Sequence, residues 1–259
     1  MEQIRLYFEG LGWLLLTLGP LLFTQRWLHR EVQYIFLLLT RRPAMTLGLF
    51  SLLFFPGVLL HELSHFVMAR LLRVRTGRFS LLPSLMEDGK LRLGFVETDE
   101  TDLLREGLIG AAPLITGGAA VAYLGISRLG LVPLAAFVEM GNWPGLWQGI
   151  SALPQQADFW LWFYLAFAIS STMLPSASDR RAWLPIVLVL FGLFGLALLA
   201  GAGPWMLAHL ASWFDRAMRS LATIFGVSLA LQLALLIPLR LLRALIMAIT
   251  GVRIVAGQG

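Results

Sequence analysis

The chain has 259 residues, of which 58% are hydrophobic and 14% charged, with a mean hydropathy of +0.77. Soluble domains carry about a quarter charged residues, so a water-soluble globular fold is excluded and an integral membrane protein is expected. The net charge of +5 comes from basic residues set between apolar segments, which reads as membrane topology and not as a nucleic-acid surface.

The chain lacks cysteine, so disulfides and thiolate metal ligands are ruled out. Met1 to Glu9 carries Glu2, Arg5 and Glu9 before an apolar run and has no small-residue cleavage site, which reads as an uncleaved first span. Spanning helices need about 20 mainly apolar residues. By that measure, spans are expected at Leu11–Leu28, Ala44–Leu72, Gly107–Ile126, Phe159–Pro175, Trp183–Ala202 and Leu221–Leu239. Val32–Thr40 is too short to span and reads as interfacial, or as paired with the first span. Leu131–Asp158 is broken by Pro133, Pro144 and Pro154, and Trp143 and Trp147 suit a headgroup region. Trp205–Arg219 reads as an interfacial amphipathic helix.

Arg75–Thr98 differs from the rest. Asp88-Gly89 lies between Phe79–Leu82 and the alternating run Leu91–Val96, a β-hairpin pattern. The following Glu97–Glu106 stretch is acidic and solvated. The fold class expected is therefore an all-α polytopic membrane protein of about six transmembrane helices, with a small membrane-associated β-hairpin. Three parts follow: an N-terminal span and interfacial segment (1–43), a core (44–181) and C-terminal transmembrane helices (182–259). Six spans starting inside leave 13 of the 20 Lys and Arg residues in the cytoplasm, including Arg70, Arg75, Arg105, Arg180, Arg240, Arg243 and Arg253. Arg26, Arg30, Arg41 and Arg42 fall on the outer side and do not fit this scheme.

The second expected span contains His61-Glu62-Leu63-Ser64-His65, an H-E-x-x-H motif. On a helix, residues i and i+4 leave one face, so both imidazoles can hold one metal ion, and Glu62 can take a proton from an attacking water. A catalytic zinc takes three protein ligands. His29 and His209 lie in segments read as interfacial, so the third ligand is expected to be a carboxylate. Asp179, just after an apolar span in Ser176-Ala177-Ser178-Asp179, leads. Glu97, Glu106 and Asp158 are rivals.

These residues resemble the site-2 protease family of intramembrane zinc metalloproteases over about Ala44–Arg181. The likeness rests on the motif in a membrane helix, the hairpin after it, Gly110-Ala111-Ala112-Pro113-Leu114, and Ser171–Asp179. The resemblance implies zinc on His61, His65 and Asp179, Glu62 as catalytic base, a site near the cytoplasmic side, and cleavage of membrane-spanning substrates. It implies substrate contacts at Ser171, where the family has Asn. Leu93 and Phe95, on the hairpin edge, could pair with an unwound substrate by strand addition. Ser178 stands in place of the family's Leu, Arg180 in place of its Gly, and Pro175 is displaced by one position.

The function expected is an intramembrane zinc endopeptidase in a bacterial cytoplasmic membrane, its partners a membrane-protein substrate, neighbouring helices and lipid. The departures around Asp179 support an alternative, a protease-like subunit without activity that serves as scaffold or assembly factor in a larger complex.

Overall fold

The computed structural model describes residues 2–81, 83–85 and 91–252. Nine α-helices and four short strands occur among them: α1 (Glu2–Thr40), α2 (Pro43–Leu71), β1 (Thr76–Ser80), β2 (Ser84–Leu85), β3 (Leu91–Arg92), β4 (Phe95–Thr98), α3 (Leu103–Ser127), α4 (Leu131–Glu139), α5 (Trp143–Ala152), α6 (Phe159–Ser170), α7 (Trp183–Leu199), α8 (Gly203–His209) and α9 (Ala211–Thr250). The all-α class and the small antiparallel sheet agree with the sequence reading.

The expected six spans do not. Among the described residues three helices, α2, α3 and α9, are long and apolar enough to cross a membrane, or four if the bent pair α7–α8 is one span. The first expected span does not end near Leu28. It continues through Val32–Thr40 as one 39-residue helix, because that segment finds partners on α9. Val32 packs with Leu236, and the buried Glu31 faces Arg240 and Arg243. The apolar run at Phe159 forms a helix of only 12 residues. The expected amphipathic helix at Trp205–Arg219 is interrupted at Leu210, and its second half opens α9.

Helices α1 and α9 run parallel. Gly10 donates its N–H to Asp215 Oδ1 at 2.7 Å, Leu21 packs with Phe225, and Arg240 lies over the Trp27 ring at 4.1 Å. Helix α2 returns antiparallel to α1 after a two-residue turn, with Thr40 bonded to Thr46 and His29 edge-on to Phe50 and Phe54. His29 is thus part of the packed interior and not an interfacial residue. Helix α3 begins beside the end of α2, where Ile109 packs on Ala69.

These directions decide the fate of α7. It meets the bundle through its first turns only, where the Trp183 indole donates to the Gly107 carbonyl and Ile186 fills the space over Gly107. Helix α8 turns away from α7 by 116°, and α9 starts next to Gly10. Both ends of the α7–α8 segment therefore lie at one end of the bundle, so it does not carry the chain to the other. The expected even number of crossings assumed that it did.

The hairpin is present but broken. Strand β1 pairs with β4 (Ser80 opposite Phe95), and β2 with β3 (Ser84 opposite Arg92, Leu85 opposite Leu91). Pro83, which has no N–H to give a ladder, and Gly94 stand between the two ladders. Leu93 lies between strands and Phe95 opens β4. The expected turn at Asp88-Gly89 lies outside the described residues.

Candidate metal centre

His61 and His65 lie in the C-terminal half of α2, one turn apart. Their Nε2 atoms are 3.2 Å from each other. Asp179, from the loop between α6 and α7, places Oδ2 3.6 Å from His61 Nε2 and Oδ1 3.4 Å from His65 Nε2. The three residues form the group of metal-ligating side chains found among the described residues.

Each ring is oriented from behind. His61 Nδ1 meets the Thr172 carbonyl at 2.7 Å, and His65 Nδ1 meets the Ile109 carbonyl at 2.8 Å. A carbonyl only accepts, so each Nδ1 carries a proton and each ring turns its Nε2 toward Asp179. This is the backing that metal-bound histidines ordinarily have. The carboxylate is fixed as well: Asp179 Oδ2 accepts from the Ser176 N–H at 2.7 Å, and the Ser176 hydroxyl accepts from the Asp179 N–H at 3.3 Å. Burial pushes the Asp179 carboxyl up, but hydrogen bonds from His61 and Ser176 and the nearby His65 outweigh it, holding the group well below the usual carboxylate range. Asp179 is therefore an anion at neutral pH.

Once both Nε2 atoms are free of protons, two lone pairs and a carboxylate face one point, a donor set that suits a cation. Their spacing suits one. Bonds of about 2.0 Å at the tetrahedral angle put ligand atoms about 3.3 Å apart, against the 3.2, 3.4 and 3.6 Å found. This buried group could hold a metal ion.

Close backbone approaches assemble the site. At Gly57 any β-carbon would collide with the Ala168 carbonyl and the Thr172 hydroxyl, so α6 lies directly on α2 just before the motif. At Gly110 it would collide with the Asp179 carbonyl. Gly110–Leu114, likened to a turn at the start of a helix, lies within α3, which opens earlier at Leu103. Gly94 brings the hairpin onto Glu62. A β-carbon there would lie 2.9 Å from Glu62 Cγ and 3.1 Å from Oε1. Glu62 is 8% exposed.

Other sequence-expected residues fall as follows. Leu93 is half-buried against the Phe50–Phe54–Val58 cluster, and Phe95 is half-buried at the start of β4. Ser171 is buried one residue before Thr172. Glu97 pairs with Arg78, Glu106 lies in the first turn of α3, and Asp158 is exposed just before α6. His209 is exposed and stacks on Trp205. None of these four belongs to the His61–His65–Asp179 group. The carbonyls of Thr172 and Ile109 were not foreseen, since a carbonyl carries no sequence signal. The Ser176 contact had one, a serine three residues ahead of the aspartate.

No protein-family model matches this chain, and neither does any curated protein or solved structure.

Proposed function

We propose that this chain is an intramembrane zinc endopeptidase that cleaves membrane-spanning protein substrates. The observation that carries the reading is the convergence of His61 Nε2, His65 Nε2 and the Asp179 carboxylate beside Glu62, with both rings backed by carbonyls. The Ser-Asp-Arg context of Asp179 departs from the resembled family, yet its carboxylate reaches the histidines.

Zinc held by these three residues would supply Lewis acidity and an activated water at neutral pH. Glu62 takes the water's proton and passes it to the leaving amine. Thr172 and Ile109 hold the rings in the tautomer that presents Nε2. A substrate helix must unwind before its peptide bond is accessible, because its backbone groups are paired internally. The extended main chain around Phe95, reaching Glu62 through Gly94, offers an unwound segment a strand to pair with. Substrate contacts at Leu93 and Phe95 are part of the proposal; Ser171, 1% exposed, is not given one.

The test is cleavage of a co-expressed single-span protein by the wild type and by Glu62→Gln. Cleavage that survives the substitution sinks the mechanism. The scaffold reading draws on α7, which has no buried residue and exposes Leu184, Leu188, Phe191 and Leu199. It would be favoured by one bound zinc per chain with no cleavage of any membrane substrate.

A further inference from the structure

A layer of polar side chains lies between two apolar clusters of the interior. On α1, Gln25 falls between Leu21 and Leu28. At the end of α6, Ser171 falls between Phe167 and Met173. On α9, Gln232 falls between Phe225 and Leu236. In each case the first-named or last-named flank belongs to the cluster around Phe54 and the other to the cluster around Val121. Three separate elements thus bring two carboxamides and a hydroxyl to one height in the bundle.

One bond among them is direct. Gln25 Nε2 donates to the Ser171 carbonyl at 2.7 Å, joining α1 to the end of α6. Gln25 Oε1, Ser171 Oγ and both amide atoms of Gln232 are buried without a protein partner. Gln232 is 0% exposed and Ser171 1%. Buried polar groups are costly unless bonded, and more so where no bulk water is at hand. The set holds donors and acceptors together, since a carboxamide offers both and a hydroxyl either. Water is the ligand that such a mixed set suits, making about three bonds in a buried site.

We propose that Gln25, Ser171 and Gln232 bind internal water, and that this hydrated layer locks the Ser171–Thr172 backbone beneath His61. The Thr172 carbonyl, which accepts a hydrogen bond from His61 Nδ1, is one peptide away from the carbonyl that Gln25 holds. Gln25 is then a positioning residue, acting on the metal centre through that backbone and touching no metal itself. The positioning role rests on the metal-site reading; the water site does not.

Two measurements test the two parts. The first is an experimental density map of the wild-type protein at a resolution that shows ordered solvent. Solvent within hydrogen-bond distance of the Gln232 amide and Gln25 Oε1 is expected. Side chains bonded directly to one another with no solvent between them would overturn the water site. The second is titration of the purified protein with Co2+ alone, read by visible absorption. Gln25→Leu is expected to weaken Co2+ binding about tenfold and to shift the absorption envelope. Gln232→Leu should act in the same direction, and Gln148→Leu, on the exposed side of α5, should change neither. An unchanged affinity and spectrum in Gln25→Leu overturns the positioning role. A wild type that takes up no Co2+ overturns the metal-site reading and the positioning role with it, while the water site stands or falls on the map.

Discussion

Gly110 lies against the backbone carbonyl of Asp179 so closely that no β-carbon fits between them. The loop that delivers the carboxylate therefore rests on bare backbone of α3. Gly110→Ala must push that loop away from the histidines. Zinc affinity, measured by chelator competition, is expected to fall about tenfold, with a stability loss of about 1–3 kcal/mol for the overpacked contact. Gly192→Ala on α7, where a β-carbon meets nothing within 4 Å, is the matched control and should leave zinc binding as it was.

The three residues proposed as ligands and the proposed base separate by what each loses. His61→Ala, His65→Ala or Asp179→Ala should each weaken zinc binding by more than about 100-fold, the upper range for loss of a residue that merely supports a ligand. Glu62→Gln should keep the zinc and lower cleavage by about 10²–10⁴-fold. Metal content by mass spectrometry, beside a cleavage assay on the same preparations, distinguishes the two outcomes.

Much of this site was legible because its signal is local. His61 and His65 share a face by helical spacing alone, and Asp179 stood out as a carboxylate directly after an apolar run. The contacts that orient them were not legible. The Thr172 and Ile109 carbonyls belong to residues 111 and 44 positions from their histidines. The span count failed for a related reason. A window of hydropathy treats Trp183–Ala202 as a crossing, but whether a segment crosses depends on where its two ends pack. Val32–Thr40 reads as too short to span when its length is taken without its partners. Glu31, just before it, is answered by Arg240 and Arg243 of α9, more than two hundred residues away. The same pairing places Arg240 and Arg243 at the end of the bundle where Arg41 and Arg42 form the turn into α2, so the arginines that fitted poorly have company.

Glu31 is the buried half of that pairing. It is held by Arg243 Nε at 3.2 Å and Arg240 Nε at 3.7 Å, while Arg240 also covers Trp27 and Arg243 covers Tyr34. Removing the carboxylate charge leaves two guanidinium groups of α9 packed beside α1 with no anion to answer them. Glu31→Gln is expected to cost about 2 kcal/mol, between the values for exposed and buried pairs because both arginines are partly exposed. Thermal unfolding in detergent should show a lower midpoint. Replacing Glu31 together with both arginines by apolar residues should recover most of the loss.

The direction of α9 gives a prediction on which the sequence and the structure disagree outright. Six crossings would return the chain to its starting side, placing the segment after α9 with the acidic connection before α3. In the structure α9 runs parallel to α1, α2 runs back, and α3 starts where α2 ends. Glu100 and Thr250 then lie at opposite ends of the bundle. The chain contains no cysteine, so Glu100→Cys and Thr250→Cys can each be introduced singly into exposed positions without background. A membrane-impermeant maleimide applied to sealed, oriented vesicles should label one of the two from outside, and the other only after the membrane is opened. Labelling of both from the same side would mean that α7–α8 crosses after all, and that the six-span count was right.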